Sequence, residues 1–134
     1  MIIDASVAVK WFIPEADSDR AIALVADRRL RAPPLLLTEV GNAIWKKLRR
    51  GDLTERFDLL ARHAELQDLV EIVGGRDAEL ATRAFELSLM LDHAIYDCVY
   101  LAMAEADGEL LVTADAGFRR KLERTPLAPL VVPL

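Results

Sequence analysis

Met1-Ile2-Ile3-Asp4-Ala5-Ser6 reads as a very short buried strand that ends on an acid and passes straight into a helix. The pattern recurs late in the chain, where Leu110 to Thr113 forms a strand and Asp115 follows just beyond it. Between these two stretches, helical and extended segments alternate. Ser6 can cap a short helix through Phe12, which Pro14 ends or turns. Residues 16–29 carry apolar side chains at helical spacing, Ala21, Leu24 and Val25, with Leu30 following. Arg31-Ala32-Pro33-Pro34 is an extended break with room for a second short strand. Leu35 to Leu48 is helical, with Val40, Ala43, Ile44 and Leu48 on one face and Gly51 just past its end. Leu53 to Leu69 predicts another helix, with Leu59, Leu60, His63 and Leu66 as its core stripe. Leu69 to Val73 suits a strand, ended by Gly74-Gly75. Helices are expected over Asp77 to Met90, Ile95 to Ala106 and, more briefly, Asp115 to Leu122, before a last strand at Leu130 to Val132. Strands alternating with helices predict an α/β domain around a mostly parallel sheet. Ligands of such sheets bind beyond the carboxyl ends of the strands, so Asp4 and Asp115 should emerge at the same edge.

The 134 residues amount to one domain, 1–134, with no repeat or linker, and a hydrophobic content of 53% excludes a disordered chain. Cys98 is the single cysteine, so there is no internal disulfide and a reducing, cytoplasmic setting fits. The first residues lack the basic and apolar regions of a secretory signal. No run approaches the ~18 uncharged apolar residues of a membrane helix. A net charge of −5 argues against a protein that coats nucleic acid. It is compatible with a nuclease, whose metal site needs a local excess of carboxylates. Basic residues gather at Arg28, Arg29 and Arg31, at Lys46, Lys47, Arg49 and Arg50, and at Arg119, Arg120, Lys121 and Arg124. Solvated helix ends account for each group taken alone. For the second, the dipole at a helix C-terminus is reason enough, although Lys46 and Arg50 are also candidates for contacts to nucleic-acid phosphates.

The acids carry more information. Asp4 either caps the following helix or serves a site. Glu39 sits in an apolar stretch, with Asn42 three residues on and within reach of a hydrogen bond. Asp97 starts a helix whose same face continues through Tyr100, Leu101 and Ala104, where an ionised carboxylate is costly unless a cation or hydrogen bonds compensate it. Asp92 reads as a cap, His93 as a loop or core histidine, and His63, on an apolar stripe, as structural. Oxygen ligands without His or Cys partners favour Mg²⁺ or Mn²⁺ over Zn²⁺. Such an ion activates water and neutralises charge on a phosphate. Ser6 and Thr113 supply hydroxyls that can orient the acids from behind.

Four motifs in order carry a resemblance. Asp4-Ala5-Ser6 after the first strand, Glu39 within Leu-Thr-Glu-Val-Gly-Asn, Tyr96-Asp97-Cys98-Val99-Tyr100-Leu101-Ala102, and Val112-Thr113-Ala114-Asp115 followed by Phe118 resemble the acidic motifs of PIN domains across essentially the whole chain. Cys98 stands where many members have alanine. At this length the chain resembles the VapC-type toxins of toxin–antitoxin pairs. The resemblance implies a three-layer α/β/α sandwich and an endoribonuclease site built from Asp4, Glu39, Asp97 and Asp115. It implies Mg²⁺ or Mn²⁺ held by Asp4, Asp97 and Asp115, with Glu39 acting directly or through water. It also implies a homodimer, a higher toxin–antitoxin assembly, and inhibition by a small VapB-type antitoxin whose tail crosses the groove. Two other classes with an aspartate after a parallel strand fit less well. A haloacid-dehalogenase-like phosphatase needs a second aspartate where Ser6 stands, and a receiver domain needs an early acidic pair and a late lysine that do not occur at the required spacing. A PIN domain that only binds would lack one of the acids. One that cuts DNA would carry an additional helical arch or DNA-binding domain.

Overall fold

A computed structural model describes residues 1–27, 29–53 and 56–134. Arg28 of the first basic group, and residues 54–55 of the helix expected from Leu53, lie outside the described residues. The strands are β1 (Ile2–Ile3), β2 (Arg31–Ala32), β3 (Glu71–Ile72), β4 (Leu111–Thr113) and β5 (Val131–Pro133). They form one sheet in the order β3-β2-β1-β4-β5, and every pairing is parallel. Ile2 lies opposite Arg31 on one side and Leu111 on the other, and Ile3 lies opposite Val112. From β1 the chain steps outward to β2 and β3, then returns to β4 and β5 on the other side. Right-handed crossovers therefore put the helices before β3 on one face and those after it on the other, the α/β/α layering of the expected sandwich.

The helices are α1 (Ala5–Ala8), prolonged by a 3₁₀ turn over Val9–Trp11, then α2 (Ser18–Asp27), α3 (Leu35–Arg50), α4 (Arg56–Ala64), α5 (Leu66–Leu69), α6 (Asp77–Leu91), α7 (Ile95–Asp107) and α8 (Ala116–Leu122). A second 3₁₀ turn, Ala128–Leu130, leads into β5. Ile2, Ile3, Leu111 and Val112 are buried, as expected of central strands covered on both faces. Helix α7 buries Cys98 and every residue from Tyr100 to Ala104, so it lies inside the core rather than on it. Helix α3 ends at Gly51, whose φ of 79° lets its own N–H donate to the Leu48 carbonyl and the Asp52 N–H to the Lys47 carbonyl, a conformation glycine adopts without a Cβ penalty. Among the described residues no single helix is long and apolar enough to cross a membrane.

The structure departs from the sequence expectations in four places. Asp4, not Ser6, caps α1, its Oδ1 accepting the Val7 N–H at 3.2 Å. The helix expected as far as Leu69 is divided at Glu65 into α4 and α5, and β3 shrinks to Glu71–Ile72. Leu130 belongs to the 3₁₀ turn, so the last strand starts at Val131. Leu60 is 68% exposed, because the buried stripe of α4 and α5 follows Leu59 and Leu66 with His63 beside them. Leu60 instead faces Trp45 across an apolar groove of about 480 Å³ lined also by Gly41, Ile44, Leu48, Leu59 and His63. His63 is structural, as its position suggested: its Nε2 lies 2.8 Å from the Leu37 carbonyl and ties α4 to α3.

Candidate active site

β1 and β4 lie side by side at the point where the strand order reverses, and each delivers an acid past its carboxyl end. Asp4 follows β1 directly and is 2% exposed. Ser6 Oγ donates to Asp4 Oδ1 at 2.6 Å, lies 3.4 Å from Thr113 Oγ1, and accepts the Ala114 N–H at 2.9 Å. Thr113 Oγ1 in turn accepts the Asp115 N–H at 3.0 Å. Two hydroxyls thus knit the ends of the adjacent strands together, as expected of Ser6 and Thr113. Asp115 caps α8, with Oδ1 accepting the Phe118 N–H at 2.9 Å and its other oxygen left over.

Glu39 and Asp97 arrive from helices on opposite faces of the sheet. Glu39 is in the second turn of α3, beyond the reach of a first-turn dipole role. Its Oε2 accepts from the hydroxyl of fully buried Tyr100 at 2.6 Å, reaching from α7 across the end of the sheet. Asn42 was the partner within reach in the sequence; it is exposed, lines the same groove, and makes no hydrogen bond to Glu39 among the described residues. Asp97, in the first turn of α7, accepts from His93, whose Nε2 is 2.8 Å from Oδ2. Ligand-capable atoms of His93, Asp97 and Asp115 all lie within 4.8 Å of one another. The all-oxygen cluster expected from the sequence therefore has an imidazole at its edge, that of His93, which also packs against Phe118 as a loop or core histidine would.

Crowding of like charge and removal from water shape the acids. Burial, with a smaller repulsion from Asp97, pushes the Asp4 carboxyl up to about 6 against the hydrogen bonds of Ser6, Thr113 and Val7. Burial also raises the Glu39 carboxyl, opposed by the Tyr100 hydroxyl and reinforced by Asp97. The Tyr100 hydroxyl is driven far above the ordinary tyrosine value, by burial first and then by Glu39, so it stays a donor. Cys98, next to Asp97 and fully buried, has its thiol pushed up to about 11, mainly by burial. Among the described residues, His93, Asp97 and Asp115 offer ligand atoms close enough together to hold one divalent ion, and Asp4 lies near enough to Asp97 to feel its charge.

An open groove of about 440 Å³ runs beside the acids, lined by Ser6, Val9, Lys10, Glu15, Glu39, Asn42, Lys46 and Asp115 among others. Lys46 reaches it; Arg50, a turn further along α3, is exposed and does not line it. Lys10 was not singled out in the sequence. It is buried, and pairs with Glu15 and, at 2.7 Å, with Asp17, pinning the loop after α1 to the groove wall.

The PIN domain family model matches residues 1–122. The chain is 32% identical over 124 residues to Ribonuclease VapC3 of Pyrobaculum aerophilum, covering 90% of this chain and 93% of that protein. Among solved structures, PAE2754 from Pyrobaculum aerophilum superposes with a TM-score of 0.71 at 22% identity, covering 98% of this chain and 87% of that one. VapC20 of Mycobacterium tuberculosis, described as a sarcin-ricin loop cleaving toxin, gives a TM-score of 0.68 at 20% identity, with coverage of 89% and 92%. A chain of a toxin–antitoxin complex from Klebsiella pneumoniae gives 0.63 at 16% identity, with coverage of 98% and 94%. At these identities the likeness to the solved structures is one of fold.

Proposed function

We propose that this chain, which belongs to the PIN-domain family, is a divalent-metal-dependent endoribonuclease that acts as the toxin of a toxin–antitoxin pair. The observation that supports the reading is the cluster of Asp97, Asp115 and His93 at the end of the sheet, with Asp4 and Glu39 near enough to feel the Asp97 charge, beside an open groove lined by Glu39 and Asp115. The 32% identity to Ribonuclease VapC3 supports RNA as the substrate. In this reading Asp4, Asp97 and Asp115 hold Mg²⁺ or Mn²⁺, and Glu39 acts through water. The bound ion supplies charge stabilisation at the scissile phosphate. The chain's own groups do the rest. Ser6 and Thr113 fix Asp4 and the approach to Asp115, Tyr100 fixes Glu39, and Lys46 meets a backbone phosphate in the groove.

The resemblance to VapC-type toxins supports a cytoplasmic enzyme restrained by a VapB-type antitoxin laid over the groove. Exposed Phe85, Leu89 and Met90 on α6 are in keeping with a homodimer. The test is cleavage of total RNA in Mg²⁺ or Mn²⁺, with excess EDTA and Asp97→Asn as controls. Cleavage should stop in EDTA and fall by about 100-fold or more in the variant. Full activity in EDTA, or wild-type cleavage by a folded Asp97→Asn protein, would show the reading to be wrong.

A further inference from the structure

Between α6 and α7 the chain turns sharply. Asp92 adopts a positive φ of 47° at the end of α6, and the two helices lie 115° apart across the break. His93 follows, and its position is fixed three ways. Ser88 holds its backbone, donating Oγ to the His93 carbonyl at 2.6 Å and accepting the His93 N–H at 3.2 Å. The imidazole stacks on Phe118, with centroids 4.6 Å apart and planes 21° from parallel. Its Nε2 reaches Asp97 Oδ2 at 2.8 Å. A carboxylate only accepts, so Nε2 carries the hydrogen in this contact. Phe118 is fully buried and is held in turn by the cap from Asp115. Asp97 and Asp115 are therefore joined by one continuous path: the Asp115 cap, the Phe118 ring, the His93 ring and the hydrogen bond to Asp97.

We infer that His93 is a positioning residue for the centre: it holds one oxygen of Asp97 so that the other faces the ion. The inference rests on the metal-dependent reading above and adds to it a residue outside the acid set. Asp97 is 30% exposed and sits on the first turn of its helix, where a side chain with no outer partner is free to rotate. His93, 14% exposed, removes that freedom before any ion arrives. A group that orients a metal-binding carboxylate from behind is worth about 10- to 100-fold in metal affinity or activity.

Two substitutions separate the hydrogen bond from the stack. His93→Gln keeps an N–H at about the reach of Nε2 but loses the ring. His93→Phe keeps a ring against Phe118 but loses the donor. Mn²⁺ binding to the RNA-free protein is measured by titration calorimetry, beside the single-turnover cleavage rate at saturating RNA and the melting temperature. The expected result is a Mn²⁺ affinity about 10- to 100-fold weaker in His93→Phe, with a matching fall in the cleavage rate and no change in the RNA concentration for half-maximal rate. His93→Gln should stay within a few-fold of wild type in affinity even if it melts lower. If His93→Phe binds Mn²⁺ like wild type, or His93→Gln is the weaker binder, the ring serves packing and the inference is overturned while the ribonuclease reading stands. If wild-type protein takes up no Mn²⁺ and cuts no RNA, that reading fails and takes this one with it.

Discussion

Asp4 shows how a single residue carries two assignments that look like alternatives in the sequence. It caps α1 and it borders the acid cluster, using Oδ1 for Val7 and Ser6. Its carboxyl titrates at about 6 rather than at the ordinary 3.8, so its ionised form is disfavoured in the folded protein. The sign follows directly. Without metal, ionising Asp4 subtracts stability progressively as pH rises from 3.8 to about 6, and the loss is constant above that. Asp4→Asn keeps an acceptor for the cap and removes the charge. It should therefore melt higher than wild type in EDTA at pH 8, by on the order of 2–3 kcal/mol, with the advantage shrinking toward pH 4. Excess Mg²⁺ should stabilise wild type alone and narrow the gap. A difference independent of pH would mean that the charge is not what strains this position. Asp115 gives the complementary case: Asp115→Ala should cost about 1 kcal/mol of stability through loss of the α8 cap, whereas Asp115→Asn should keep most of it. Equal melting of the two variants would count against the cap.

Among the elements, the helices were the legible part of the sequence and the strands the obscure part. Helices α3, α6 and α7 announce themselves through apolar spacing and through the residues that end them, and their limits fall within a residue or two of those expected. Strands of two or three residues are too short to show a period, so they were read from short apolar runs and breaks, and the bounds of β3 and β5 were misplaced. Asp4 and Asp115 were visible because each follows such a run at or just past its end. Their partners were not: Tyr100 lies 61 residues from Glu39, and only packing of α7 across the sheet end brings the hydroxyl to it. His93 stands four residues before Asp97 in the sequence, yet it precedes the helix, and only the turn at Asp92 aims it back. Helix α3 also separates two cations that looked equivalent. Lys46→Ala should weaken RNA binding several-fold and leave the single-turnover rate at saturating RNA nearly unchanged, while Arg50→Ala should leave both nearly unchanged. Filter-binding titrations of the two variants decide this, and equal losses would mean that RNA extends beyond the groove along α3.

Across the whole molecule, charge is divided between the two ends of the sheet. Acids crowd its carboxyl edge, while at the opposite edge Arg31 pairs with Asp107 at 2.9 Å and with Glu109, Arg76 pairs with Asp107 at 2.6 Å, and Glu109 also meets the amino terminus. The terminal ammonium, helped by Arg31, holds the Glu109 carboxyl below its ordinary value. A depressed carboxyl adds stability above its unfolded pKa and gives it up as pH falls through the folded one. Glu109→Gln should thus lower the melting temperature at pH 7 by about 4 °C, for about 1 kcal/mol, and the two proteins should converge well below the ordinary glutamate value of 4.5. A gap that persists in acid would assign the loss to packing instead. The sheet also dictates an order of synthesis. Its central strand is made first, and the neighbour that completes the site, β4, waits until residues 111–113 have been translated. A nascent chain halted before Leu111 carries Asp4, Glu39 and Asp97 but has no partner for that side of β1, so a prematurely terminated product should be protease-sensitive and harmless to the cell that makes it.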